Sequence, residues 1–84
     1  MAHRVECGKF KVLEVSLTEI TQIGGLGICD YCVKPSFKGF LIPVLNRWLC
    51  PTCYEEWKAR AKWYPEDKEY EERKFNQYCE ALGL

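Results

Sequence analysis

No stretch of this 84-residue chain is apolar for the roughly 20 consecutive residues that crossing a bilayer requires, so no membrane span is expected. Net charge is missing as well: twelve Lys and Arg stand against twelve Asp and Glu. A dedicated nucleic-acid binder would carry a strongly basic excess, and this chain does not. Histidine is nearly absent, His3 being the single example, and no nucleophile, base and orienting group lie in a recognisable pattern. No enzymatic activity is therefore expected. The opening Met1-Ala2-His3-Arg4-Val5-Glu6 carries charges and no apolar core of a secretory signal, which favours a reducing, cytoplasmic setting. Gly24-Gly25-Leu26-Gly27 matches neither the dinucleotide nor the phosphate-loop spacing, and reads as a turn leading into Cys29.

What is present is a folded composition, 48% hydrophobic and 29% charged, in one domain spanning 1–84. A chain this short buries a modest core, so an additional staple is expected. Cys29-Asp30-Tyr31-Cys32 and Cys50-Pro51-Thr52-Cys53 supply one, as two Cys-x-x-Cys pairs with seventeen residues between them. That is the spacing pattern of a tetrahedral four-cysteine site, and adjacent pairs suit a metal better than disulfides. A single structural zinc ion is the default occupant, being tetrahedral, redox-silent and matched to thiolate sulfur. All four thiols are then consumed, leaving no open coordination position for catalysis.

In chain order, residues 1–9 read as loosely tied. Cys7 with His3 could form part of a second metal site, but Cys7 reads more simply as a small buried residue. Residues 10–18 alternate, Leu13, Val15 and Leu17 against Glu14, Ser16 and Thr18, and predict a strand with one face packed and one in water. Residues 37–42 predict a second strand, with Pro43 at an edge or bulge, Val44-Leu45 extending it and Asn46-Arg47 at a hairpin tip. Trp48-Leu49 returns to Cys50. Thr52-Cys53-Tyr54-Glu55 fits a capping box, so a helix is expected to start there, with Cys53 in its first turn where the helix dipole favours a thiolate. Its apolar positions are Tyr54, Trp57, Ala61 and Tyr64, and Pro65 ends it. A second amphipathic helix is predicted over about 66–82, carrying Tyr70, Phe75, Tyr78, Cys79 and Leu82, with Glu69 to Lys74 solvated and Gly83 as its cap. Cys79 is expected to pack rather than ligate.

A Cys-x-x-Cys knuckle, a hairpin and a second pair opening a helix resembles the treble-clef zinc finger over residues 27–64. The resemblance implies a fold and a ligand set, Cys29, Cys32, Cys50 and Cys53. Treble clefs include LIM-type protein-interaction modules, GATA-type DNA binders and ribosomal proteins, so no single task follows. The spacer is also similar to that of DksA/TraR-type bacterial zinc fingers, although a strand rather than a coiled coil precedes Cys29. The expected architecture is thus a small α+β treble clef with an added N-terminal strand and a C-terminal amphipathic helix.

Three functions compete. The first is a structural-zinc module that binds a protein partner or itself, suggested by the aromatic load of Phe40, Trp48, Trp57, Trp63 and Tyr64. Trp63 falls off the helical stripe and is either exposed or packed on the C-terminal helix or N-terminal strand. The second is a transcription-related, nucleic-acid-binding finger, in which Lys34, Lys38, Arg47, Lys58, Arg60 and Lys62 gather near Trp48 and Trp63. The third is a four-cysteine iron or redox protein. The candidate interaction surface is Trp48, Trp63, Arg47, Lys58 and Lys62.

Overall fold

Two segments of β-branched and aromatic residues become the inner strands of one antiparallel sheet, and two further strands form its edges. A computed structural model describes residues 2–84, with Glu6 in its backbone only. Strands β1 (His3–Cys7), β2 (Phe10–Ser16), β3 (Lys38–Ile42) and β4 (Arg47–Leu49) lie in the order β1-β2-β3-β4. Helix α1 (Leu17–Gln22) follows β2, α2 (Pro51–Arg60) follows β4, and a single 3₁₀ turn at Pro65–Asp67 opens α3 (Lys68–Leu82).

Residues 2–9 are not loosely tied. β1 pairs with β2 across a two-residue connection at Gly8-Lys9, and Met1 lies outside the described residues. Gly8 takes φ +59, the conformation a tight hairpin needs at its first central residue and glycine adopts most readily.

The 10–18 strand also ends earlier than its alternation suggests. Ser16 accepts from the Glu19 amide while the Glu19 carboxylate accepts from the Ser16 amide, a reciprocal cap that turns the chain into α1 at Leu17. Nor is one face of β2 wet. Successive side chains point to opposite faces. Leu13 and Val15, with Leu41 and Trp48, pack beneath Ile20 of α1 and Phe75 and Cys79 of α3. Val12, with Ile42 and Leu49, packs on the other face beneath Tyr54 and Trp57 of α2. The sheet is therefore a middle layer, covered by α2 on one side and by α1 and α3 on the other.

Pro43 falls outside β3, in the four-residue connection 43–46, with Val44 and Leu45 turning rather than extending the strand. Asn46 closes that turn at φ +55, and Arg47 already belongs to β4. Helix α2 starts before the Thr52 capping box: Cys50 is its N-cap, and Pro51 occupies the first turn, where a missing N–H costs nothing. It ends at Arg60, short of Pro65, so Tyr64 leaves the helical stripe and is exposed. Gly83 caps α3 as expected, at φ +76.

The stretch Glu69 to Lys74 is not uniformly solvated, because Glu71 is 1% exposed. Its carboxylate accepts from the Lys11 amide at 3.2 Å and from Trp63 Nε1 at 3.3 Å. Lys11 lies beyond the end of the β2–β3 pairing, so Glu71 takes up a sheet donor that β3 does not reach. Cross-strand packing also fixes Gly39. The Trp48 ring lies against it while the indole N–H donates to the Val15 carbonyl at 3.1 Å, and a Cβ on Gly39 would meet Trp48 Cε2 at 2.5 Å.

Gly39→Ala is accordingly expected to destabilise the fold by about 1–3 kcal/mol through overpacking, lowering the thermal midpoint by several degrees. Glu71→Ala, which orphans two donors, should cost about 2–4 kcal/mol. Denaturation midpoints equal to wild type would contradict both.

Candidate metal centre

The sheet delivers one half of the centre directly. β4 ends at Leu49, and the chain passes through Cys50, with φ −66 and ψ 163, into the first turn of α2, where Cys53 is buried. The other half is a turn closed by the backbone. The Cys29 amide donates to Lys34 O at 3.0 Å, the Val33 amide donates to Cys29 O at 2.9 Å, and the Tyr31 amide points at Cys29 Sγ, 3.4 Å away. An isolated bridge between Ile28 and Pro35 closes its base. Val33 sits at φ +59, a conformation that costs an ordinary side chain roughly 1–2 kcal/mol and a β-branched one no less.

The two halves are joined by Asp30. Its amide donates to Trp48 O at 3.0 Å, and its carboxylate accepts the Trp48 amide at 2.8 Å. Asp30 thus acts as one residue of a further strand beside β4, satisfying an edge that would otherwise be open. This clasp was invisible in the sequence. An Asp inside a tight turn signals backbone hydrogen bonding, but nothing in the local pattern names a partner eighteen positions away.

The sulfurs of Cys29, Cys32, Cys50 and Cys53 all lie within 4.8 Å of one another, and those of Cys32 and Cys50 are 3.8 Å apart. No disulfide links them. The cluster could hold a metal ion, and the donor set fits one. Burial pushes the Cys29 thiol up, but amides of Cys32, Cys50 and Tyr31 aimed at its sulfur outweigh that and bring it down to about 6. Cys53 moves the other way, to about 12, through burial first and then its contacts with the other sulfurs and the charge on Cys29. The Lys34 amide acts to lower the Cys32 thiol, but burial and the contacts with Cys29 and Cys50 carry it upward. Cys53 lies in the first turn of α2, as expected, and the amides aimed at Cys29 add support for a thiolate there as well. Once one sulfur is charged the neighbours resist following it, and only a cation among them removes that repulsion.

The remaining candidates separate cleanly. Cys7 and Cys79 are buried in opposite core layers and lie outside the cluster. His3 contacts the carboxylate of Glu14, its cross-strand partner, at 2.6 Å. Trp48, expected on the interaction surface, is 4% exposed and belongs to the core. Trp63 is half-buried, tied to Glu71 and covered by the Lys9 ammonium 5.3 Å from its ring, so it packs between α3 and the β1–β2 turn. Phe40 stacks on Tyr54 with ring centroids 4.0 Å apart, and Trp57 is buried. The aromatic load is thus largely core. Arg47, Lys58 and Lys62 are exposed, and Lys58 pairs with Glu55 at 3.1 Å. No described helix is long and apolar enough to cross a membrane. Comparison with protein-family models, curated proteins and solved structures gives no match.

Asp30→Ala should weaken metal retention by about 10–100-fold, the range typical of residues that orient ligands. Asp30→Asn, which keeps an oxygen acceptor for the Trp48 amide, should fall between. Release rates to a colorimetric chelator measure this, and three identical rates would refute the clasp.

Proposed function

We propose that this chain is a zinc-stabilised treble-clef module whose task is macromolecular interaction, with a protein partner or with itself. The observation that carries the reading is the closeness of the four cysteine sulfurs. A tetrahedral ion with bonds of about 2.3 Å to sulfur sets its ligands roughly 3.8 Å apart, and the Cys32–Cys50 separation is 3.8 Å. The order of elements around it supports the treble-clef reading: a backbone-closed turn, the β3–β4 hairpin, and a helix opened by the second pair.

In this role Cys29, Cys32, Cys50 and Cys53 hold the ion as thiolates, and the ion supplies the positive charge that lets all four ionise. Amides of Tyr31, Cys32 and Cys50 spread the charge on Cys29 into the backbone. Asp30 holds the first pair at a fixed distance from the second. Four sulfurs close the coordination shell, so no position remains for substrate, and a structural rather than catalytic role follows. Protein interaction is favoured over nucleic acid because the connection 26–37 exposes the aliphatic Leu26 and Val33 together with Tyr31 and Phe37, and the chain lacks the basic excess that phosphate binding draws on.

Native mass spectrometry is expected to record the chain plus one zinc ion, in a colourless protein. The bare chain mass for a compact species, or a red iron-loaded protein, would overturn the assignment. Cys32→Ser and Cys53→Ser should lose the ion and most of the thermal stability, while Cys79→Ser should keep the ion and cost only about 1–3 kcal/mol for a hydroxyl in an apolar layer. Equal midpoints for all three variants would contradict it.

A further inference from the structure

Large apolar residues on the surface of this protein are not scattered. Seven are exposed among the described residues, and five of them, Leu26 at 83%, Ile28 at 37%, Tyr31 at 43%, Val33 at 72% and Phe37 at 87%, fall in one twelve-residue connection. Next to it lies an open groove of about 490 Å³, walled by Ile20, Ile23, Leu26, Ile28 and Val33, with Trp48 at its base. Phe37 stands beside this groove: its carbonyl accepts the Leu17 amide, and the preceding Ser36 amide donates to Gly27, which is part of the groove wall. An exposed ring and an apolar hollow are therefore presented by the same connection, a few residues apart. Val33 strengthens the reading. A β-branched residue occupies a left-handed position that glycine would take without strain, and its side chain packs into no core cluster. What the side chain does there is extend the apolar rim. Strained residues of this kind concentrate where a surface is used.

We propose that this face is the interface of a two-fold homodimer, in which Phe37 of each copy enters the groove of the other. The inference rests on the interaction role proposed above and names its partner as a second copy of this chain. Area supports that choice. The five exposures together amount to about three whole residues, on the order of 600 Å² at roughly 200 Å² each. A standard interface buries about 800 Å² per partner, of which homodimers make about 65% apolar, or roughly 500 Å². The patch thus matches one side of a homodimer and sits at the upper limit of what monomers leave exposed. A two-fold interface needs a surface complementary to itself, and a knob beside a hole meets that requirement. Charge raises no large barrier: Lys and Arg balance Asp and Glu over the chain, and the roughly two negative charges of a zinc tetrathiolate are faced locally by Lys34 and Lys38.

Sedimentation equilibrium of the metal-loaded chain, with metal content measured on the same sample, tests this. The expected result is a reversible dimer with one ion per chain at micromolar concentration, and at least a tenfold weaker association in Phe37→Asp and in Leu26→Asp, each keeping its ion and its helical circular dichroism. Val33→Gly makes a sharper case: it should raise the thermal midpoint measured under dilute, monomeric conditions while weakening the dimer. A metal-loaded wild type that stays monomeric at several hundred micromolar overturns the dimer alone. A chain without metal overturns the zinc reading instead. A dimer unchanged by Phe37→Asp and Leu26→Asp moves the interface elsewhere and also overturns the proposal.

Discussion

Trp48 is the residue on which the rest of the structure depends, because it bonds in three directions at once. Its backbone exchanges two hydrogen bonds with Asp30, its indole N–H reaches the Val15 carbonyl across Gly39, and its ring closes the layer under α1 and α3. The first set of contacts places the Cys29-Cys32 turn beside the strand that leads to Cys50. The second locks that strand to β2 through β3, which has room for the ring only because residue 39 lacks a side chain. The distance between the two cysteine pairs is thus fixed by the packed sheet as well as by any ion between the sulfurs. Both sets of contacts meet in one buried residue, its main chain facing the turn and its ring facing the sheet.

Much of this was written in local sequence. The two cysteine pairs, the hairpin between them, the helix after Cys50, the C-terminal helix and the Gly83 cap all follow from spacing and turn chemistry, and their features are short-range. The misses have a common physical origin. Ser16-Leu17-Thr18-Glu19 carries the same Ser/Thr-x-x-Glu signature as Thr52 to Glu55, yet only the first is a working cap. At the second, Cys50 and Pro51 take the N-cap and first-turn positions and leave Thr52 inside the helix. Alternation in β2 predicted one wet face, but Val12 is buried beneath α2, and an alternating pattern does not report a second covering layer. Glu71 looked like one charge among several on a helix. Only the geometry of the sheet edge, where the Lys11 amide has no strand partner, makes a buried carboxylate useful there. The aromatic load suggests a binding surface when one core layer is assumed, but Trp48 and Trp57 fill two layers on opposite faces of the sheet.

The 26–37 connection can remain apolar and exposed because its main chain carries its shape. The turn around Cys29 is held by hydrogen bonds to Lys34, Val33 and Trp48, by the Ile28–Pro35 bridge and by the sulfur cluster. None of these needs Leu26, Tyr31, Val33 or Phe37 to be buried. Side chains at those positions are released from the duty of folding, and ordinary solubility would favour polar replacements. At Val33 even the backbone would relax with glycine. The main chain thus secures the shape of this segment without its exposed apolar side chains, which is why the proposed contact with a second copy is placed here and not on the charged faces of the helices.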